Sequence, residues 1–428
     1  MRTVKRNQVC QGGFPKNKSH WVSVPGKKCC ERLLSVFVAA LLAAIAFCSP
    51  AAAVDALYSP VAPAPGSRAI PSRGQVRIPV IFLAGALTPA EQKDYMSFFS
   101  NSLDSHTFRN YWYVNSRGKY DVRCHAVERP APEASTGPEE TPGAPPAGDG
   151  WYGYFSSVVA GLAAEEVLRP ELFDSAGPGT LPDGWMDGAI VFGPGFTGAT
   201  AVFPPDEPGG AKSAVKPGPF VAAGPDATAS DVLRAFAELL GFRGDTCLSI
   251  LSPADKGFPL LDAYNRTAAG WAEVMEVKGT AQNVLLLPAL ASGKVYRFGG
   301  EKEYFLVENR GPAEGYDLSL LSPGLAVYHI IESAPRTATS SLKWYTRVVN
   351  VAPEDPVSLQ PPERCIPDSF LFREGQELKP DYLDQNPAGG SRRPANSNWS
   401  SGEPSDLVIR NVDTISHYPI ITALFEHR

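Results

Sequence analysis

The stretch TASDVLRAFAELLGFRGD, residues 228–245, has the clearest helix pattern in the chain. Thr228 and Asp231 stand three residues apart, as the partners of a capping box do, and Gly241 is placed to end the helix. Apolar side chains recur at the spacing of one helix face: Val232, Leu233, Phe236, Leu239 and Leu240. The polar residues on the other face are Asp231, Arg234 and Glu238. The pattern predicts an amphipathic helix with a charged face opposite its apolar stripe.

The N-terminus has the order of a secretory signal peptide. Eight basic residues precede the apolar run of residues 33–47, and Ala51, Ala52 and Ala53 then offer small side chains for cleavage. The run is short for a membrane span. We therefore expect residues 1–53 to be a signal peptide of a secreted or extracytoplasmic protein, with an uncleaved N-terminal membrane anchor as the alternative.

Charge and cysteine content restrict the partners. Of the 428 residues, 43% are hydrophobic, enough for one large core or two modest ones. Without residues 1–53 the chain has 31 Lys and Arg against 44 Asp and Glu, a net charge of about −13, so nucleic acid is not an expected partner. The three cysteines that remain, Cys124, Cys247 and Cys365, permit at most one disulfide.

The rest of the chain divides by composition into a linker and two structured parts. Residues 54–75 are a Pro/Ala-rich linker, and residues 131–150 and 204–225 are Pro/Gly-rich segments that indicate exposed insertions. Residues 76–290 form the predicted core domain. From residue 291 to 428 short apolar runs follow one another between turn residues, and this predicts a strand-rich C-terminal part.

Seven segments, in the same order, resemble the M6 family of secreted metallopeptidases, the immune inhibitor A-like group. They include RIPVIFLAG, FRNYWYVNSRGKYDV, DGWMDGAIVFGPG, the helix from Val232 to Gly241, LLDAYNRTAAGW, EYFLVENRGPAEGYD and GLAVYHIIES. The resemblance covers most of residues 76–335. It implies an α+β protein with a zincin-like fold, a zinc cofactor in the family, and a role in proteolysis.

The chain departs from the family in the zinc motif itself. In HExxH, two histidines four residues apart bind Zn²⁺ from one helix face, and the Glu is the general base. By the resemblance, Arg234 and Glu238 stand at the histidine positions and Ala235 at the glutamate position. Arg cannot ligate a metal, and Ala provides neither ligand nor base. We expect no zinc here, and either an Arg234–Glu238 ion pair that fills the space or two solvated charges.

These substitutions favour a pseudopeptidase that binds a peptide, a protein or a cell-surface component, and that has no transmembrane domain after signal cleavage. The alternative is an active metalloendopeptidase with a relocated metal site around Glu238, Asp245 and Cys247. A third hypothesis, a carbohydrate-binding module, rests on the aromatic residues Trp151, Tyr152 and Trp185.

Two further places hold candidate site residues. His329 lies in a segment that carries the resemblance and faces either the former cleft or, more commonly for a strand histidine, a hydrogen-bonded core. Asp183 and Asp187 flank a turn that could hold Ca²⁺, although Asp-Gly is equally a turn signal.

Overall fold

The structure is a computed structural model. It describes residues 70, 72–128, 150–174, 184–204, 216–242, 248–251, 258–278, 281–312, 316–318, 320–335, 344–351, 370–380, 397–401, 403–415 and 419–427. The predicted signal peptide and most of the predicted linker lie outside these residues. By their contacts, the described residues all belong to one compact unit.

Six helices and three sheets make up the described part of the chain. The helices are α1 (Pro89–Phe98), α2 (Phe108–Asn115), α3 (Gly150–Ala164), α4 (Ala229–Leu239), α5 (Ala263–Ala268) and α6 (Ala289–Ser292), with a 3₁₀ turn at Pro170–Phe173. Sheet A contains β1 (Gly74–Phe82), β2 (Tyr120–Glu128), β3 (Ala189–Phe192), β4 (Ala199–Val202) and β5 (Phe220–Ala223). Sheet B contains β6 (Glu273–Glu276), β8 (Lys294–Gly299), β9 (Glu303–Arg310), β10 (Gly324–Pro335), β11 (Trp344–Val351) and β12 (Leu371–Phe372). Sheet C contains β7 (Ala281–Leu286), β13 (Leu407–Ile415) and β14 (Ile420–His427).

Sheet A has the strand order β2-β1-β3-β5-β4, in which the first four strands run parallel and β4 runs antiparallel to β5. The central strands β3 and β5 read AIVF and FVAA and are buried at every position. Short, continuous apolar runs of this kind are typical of parallel strands that are covered on both faces. The described part of the protein is therefore mixed α/β.

Alternating side chains of sheet A enter two separate cores. On one face, Ile190 and Phe192 pack with Trp112 of α2 and Phe236 of α4. On the opposite face, Val191 packs with side chains of α3 and of the 3₁₀ turn, Phe155 and Phe173 among them. Helix α4 follows β5 directly and packs on β4 and β5, so its position is set by the outer part of the sheet.

Sheets B and C account for the strand-rich sequence after residue 260. Sheet B has the order β11-β10-β9-β8-β6, with β12 also paired to β10, and sheet C has the order β13-β14-β7. Apolar side chains such as Phe305 of sheet B and Phe425 of sheet C share one core. The strand-rich C-terminal part that the sequence predicts contains strands β8 to β14. Sheet B begins at Glu273, so the predicted division after residue 290 falls within this strand-rich region.

A buried ionic network lies on the other side of sheet B. The Arg310 guanidinium donates to both Asp317 carboxylate oxygens, at 2.7 Å from Nε and 2.6 Å from Nη2, and reaches Glu308 Oε1 at 3.2 Å. Glu308 also accepts from Arg266 and, at 2.9 Å, from the Tyr328 hydroxyl. All five side chains are at most 2% exposed. Unpaired charges in such surroundings are costly, so the network binds these segments together.

One sequence prediction is wrong. The composition of residues 204–225 predicts an exposed insertion, but the end of this stretch is β5, a central strand of sheet A. The apolar run is only four residues long and has Pro219 before it and Gly224 after it. Such a short run shows no periodic pattern, and both flanking residues are turn signals, so the sequence does not identify it as a strand. Its hydrogen-bonded pairing with β3 and β4 therefore determines its strand conformation.

Candidate functional site

Helix α4 begins and ends as its sequence predicts. The Thr228 hydroxyl accepts from the backbone N–H of Asp231 at 3.1 Å, and the Asp231 carboxylate accepts from the backbone N–H of Thr228 at 3.0 Å. This reciprocal capping box satisfies two N–H groups at the start of the helix. Gly241, with φ of 81°, ends it in the left-handed conformation that Gly adopts without strain. The apolar stripe is buried in the core shared with α2.

The three residues that the resemblance aligns with the zinc motif lie on this helix. Ala235 is buried, at 2% exposure, and contributes to the core cluster. Arg234 is partly exposed and Glu238 is exposed. The guanidinium of Arg234 pairs with Asp231, Nη2 to Oδ1 at 2.6 Å, one turn towards the helix N-terminus. The ion pair that forms is thus Arg234–Asp231, in place of the Arg234–Glu238 pair considered from the sequence.

The surroundings shift the pKa of both carboxyl groups on this face, in opposite directions. Desolvation raises the pKa of Glu238, and the nearby charge of Arg234 only partly offsets it. Desolvation acts on Asp231 as well, but hydrogen bonds from Thr228 and the pairing with Arg234 outweigh it and lower its pKa. The two carboxyl groups of this face therefore differ: hydrogen bonds and the Arg234 charge favour the ionised form of Asp231, whereas burial disfavours the ionised form of Glu238.

Tyr95 of α1 shows that further acidic groups lie close by. Its hydroxyl donates to the backbone carbonyl of Ala227, just before α4. Burial raises the pKa of Tyr95 to about 12, and the negative charges of Asp231, Glu91 and Asp226 contribute to the rise. The start of α4 thus lies in a negative potential.

The side chains at the motif positions do not fit a zinc ion. Arg234 remains a cation and is engaged by Asp231, and Ala235 is enclosed in the core. Glu238 alone could ligate, whereas a catalytic zinc requires three protein ligands. Among the described residues no group of three or more His, Cys, Asp or Glu side chains is arranged to hold a metal ion. Asp245 and Cys247, named for a relocated site, lie outside the described residues.

Strand β4, which packs against α4, has one edge that no strand among the described residues covers. Within the described residues it pairs only with β5. Extending their register by one residue pairs Gly198 with Gly224, and this pair is hydrogen-bonded, Gly224 N–H to Gly198 O at 2.8 Å. Because hydrogen-bonded and non-hydrogen-bonded pairs alternate in an antiparallel ladder, Ala199 and Ala201 fall in non-hydrogen-bonded pairs. Their N–H and C=O groups point away from β5, towards the free edge.

The side chains on β4 leave this edge accessible. Ala199 and Ala201 lie on the α4 face of the sheet and are partly buried against its core, whereas Val202 packs on the opposite face. Thr200 is exposed. Small side chains next to outward-pointing backbone groups are what an added strand requires. The charged face of α4 and the edge of β4 together form what we call the β4–α4 site.

His329 lies elsewhere, on β10 in sheet B. It is fully buried, stacks on Phe305 and contacts Glu303, Nε2 to Oε1 at 2.7 Å. Glu303 also accepts from Ser400 Oγ at 2.9 Å. Desolvation opposes ionisation of Glu303, but these hydrogen bonds outweigh it and lower its pKa. An open pocket of about 490 Å³ beside Glu303 is lined by Trp399 and the turn of residues 300–302. The structure therefore does not bring His329 together with Arg234, Ala235 and Glu238.

The calcium candidates are only partly described. Asp187 precedes β3, and its backbone N–H donates to the carbonyl of Phe173 at 2.7 Å. Asp183 lies outside the described residues. The turn that follows it is held by Asp174, whose carboxylate accepts from the N–H of Gly184 at 2.8 Å.

The aromatic residues considered for carbohydrate binding are engaged within the fold. Tyr152 donates its hydroxyl to the carbonyl of Pro217 at 2.6 Å. Lys216 places its ammonium group over the Trp185 ring, 5.0 Å from the centroid. The side chain of Trp151 lies outside the described residues. Both described residues are partly buried and contact other parts of the fold.

Neither the scan against protein-family models nor the search of curated proteins found a match for this chain. Within the part of the chain that the structure describes, no helix is both long and apolar enough to cross a membrane.

The part of the site that lies outside the helix, strand β4, is not identified by its sequence pattern. Strand β4 is four residues, ATAV, between Gly198 and a Phe-Pro-Pro run, too short to show alternation. Asp226, whose Oδ1 accepts from Gly198 N–H at 2.8 Å, anchors the start of β4 to the turn before α4. The Gly-Pro-Asp turn at residues 224–226 was the available signal, because such turns commonly join a strand to a helix.

Proposed function

We propose that this chain is a secreted, M6-like pseudopeptidase that binds peptides in extended conformation along the free edge of β4. The zincin-like fold and the secretion are parts of this proposal, and both rest on the sequence resemblance and the N-terminal pattern. The peptide ligand rests on the β4–α4 site.

The observation that carries the proposal is a strand edge, uncovered among the described residues, on which a helix packs whose sequence lacks the zinc motif of the family it resembles. Among the described residues, the outward backbone groups of Ala199 and Ala201 have no partner, and an extended peptide would satisfy them by adding a strand. Helix α4, which packs on β4, carries Arg234 and Glu238 at the positions that the resemblance aligns with the zinc ligands of the family. Binding without hydrolysis follows from these two features together.

The edge can be tested by a single backbone change. In Ala201→Pro the outward N–H is removed, whereas the ladder to β5 loses nothing because this residue does not donate to it. The matched control Ala201→Val keeps the N–H and adds side-chain bulk. We expect Ala201→Pro to weaken the binding of fluorescein-labelled extended peptides by about tenfold, and Ala201→Val to bind like the wild type. Equal binding by all three proteins would refute the edge as the site.

The loss of hydrolysis has its own test. The purified chain is loaded with zinc, desalted and analysed by elemental mass spectrometry, and the same preparation is assayed on casein with and without a chelator. We expect no stoichiometric zinc and no chelator-sensitive cleavage. Near-stoichiometric zinc that disappears in Glu238→Ala, together with proteolysis, would instead establish the active endopeptidase.

A further inference from the structure

The charges around the β4–α4 site are unevenly distributed. Two carboxylates, Asp226 and Asp231, lie at the end of β4 where α4 begins, and Glu238 lies seven residues further along the same helix. The cation on this face of α4 is Arg234, and it is already paired with Asp231. Asp226 and Glu238 are both exposed, with no described cation paired to either of them.

Helix α1 adds to the negative charge. Glu91 caps its N-terminus, where its carboxylate accepts from the backbone N–H of Thr88 at 2.7 Å. Tyr95, one turn further on, contacts Ala227 and experiences the charges of Glu91, Asp226 and Asp231 together. Lys93 and Asp94 on α1 are both exposed and balance one another in charge. The elements that surround the start of α4 thus carry more negative than positive charge.

One of these carboxylates lies at the start of β4. Asp226 accepts from the N–H of Gly198, the residue before β4, and Asp231 lies in the first turn of α4, the helix that follows β5 and packs on β4. Helix α4 rises about 1.5 Å per residue, so Glu238 lies about 10 Å from Asp231 along its axis. Side chains on one face of a strand recur about every 6.6 Å, so these carboxylates do not define a residue repeat along a bound peptide.

From this arrangement we infer that the β4–α4 site selects peptides rich in Lys or Arg, whose positive charges complement the carboxylates around the start of α4. The inference rests on the proposed function, since it names the class of peptide that the edge of β4 accepts. Charge complementarity here selects among peptides, whereas the backbone pairing supplies the common part of the affinity.

The test compares three fluorescein-labelled peptides by fluorescence anisotropy, with four repeats of Thr-Lys, Thr-Gln or Thr-Glu. We expect the Lys peptide to bind most tightly and the Glu peptide most weakly. Asp226→Asn and Glu238→Gln should each weaken binding of the Lys peptide about 2- to 5-fold and reduce its salt dependence. Both changes keep the size of the side chain, and the amide introduced by Asp226→Asn retains an oxygen that can accept from Gly198. The matched control is Glu374→Gln, the same change at an exposed residue that follows β12.

The outcomes separate the two proposals. If the three peptides bind with equal affinity and Ala201→Pro abolishes their binding, the selection of basic peptides is overturned. The edge of β4 would then remain the proposed binding site. Weakening by Glu374→Gln as large as that by Glu238→Gln would also overturn it, because the effect would then reflect net charge alone. No binding of any of the three peptides would remove the proposed function and the selection with it.

Discussion

Two groups of charged side chains in this protein lie in opposite environments. In the buried ionic network, Glu308, Arg310 and Asp317 are at most 2% exposed, and their charges pair with one another and with Arg266. On α4, Asp231 and Arg234 form a single ion pair whose side chains are 25% and 23% exposed, and Glu238 remains outside it. The network satisfies its charges internally, whereas the α4 face keeps a carboxylate accessible.

The difference indicates where ligand chemistry is possible. Both groups fall in segments that carry the M6 resemblance, so the sequence alone does not indicate which of the two groups binds a ligand. Charges already paired in the protein interior contribute to the fold, since removing one partner leaves the other buried and uncompensated. Exposed charges with incomplete pairing contribute little to stability and remain available for binding. We therefore assign the network to structure and the α4 face to function.

The largest effect is expected from breaking the network. Arg310→Met removes the guanidinium that contacts both Glu308 and Asp317 and leaves two buried carboxylates without it. We expect the free energy of unfolding to fall by about 3–5 kcal/mol, as measured by urea denaturation followed by tryptophan fluorescence. The matched control is Arg410→Met, because Arg410 pairs with Glu426 and its side chain is 40% exposed. A loss no larger than that of the control would show that the network is not what holds these segments together.

A smaller effect is expected for the ion pair on α4. In the structure Arg234 pairs with Asp231, whereas the sequence suggested Glu238 as its partner. In a double-mutant cycle, Asp231→Asn and Arg234→Met should couple by about 0.3–0.5 kcal/mol, since the amide introduced by Asp231→Asn keeps an oxygen for the capping box. Glu238→Gln and Arg234→Met should couple more weakly, because Arg234 acts on Glu238 through its charge without forming an ion pair with it. The reverse result would place the ion pair of Arg234 on Glu238 and would change the charge offered to a ligand.

The extent to which the sequence predicted the structure differs between the two halves. The strands after residue 260 are six to twelve residues long in most cases and alternate with turn residues, so their pattern alone identifies them. In sheet A, β4 and β5 are four residues each and acquire their order from neighbouring strands. The helix with Arg234 and Glu238 was identifiable because its periodicity and caps are local. The strand edge beside it was not, because adjacency in a sheet is a property of topology.

The smallest effect is expected for Glu238. It tests whether this carboxyl group is exposed to solvent, in contrast to the carboxylates of the buried ionic network. Desolvation raises the pKa of this carboxyl group in the folded protein. Its contribution to stability is therefore fully present below the unfolded pKa and is lost as the pH rises through the higher folded pKa. Glu238→Gln removes this dependence, so the variant should gain stability relative to the wild type between acid and neutral pH.

We expect that gain to remain within about 0.5 kcal/mol, because Glu238 is exposed and solvent screens its charge. The measurement is the melting temperature of both proteins between about pH 4 and pH 8, a range that spans the ordinary and the raised pKa of a carboxyl group, and Glu374→Gln is the reference for a change in net charge. A gain of several kcal/mol would mean that Glu238 is buried like the carboxylates of the network. A loss at neutral pH would mean that its carboxylate already has a favourable partner in the folded chain. In either case the Glu238 carboxylate would contribute to the fold, and it would not be available to select basic peptides.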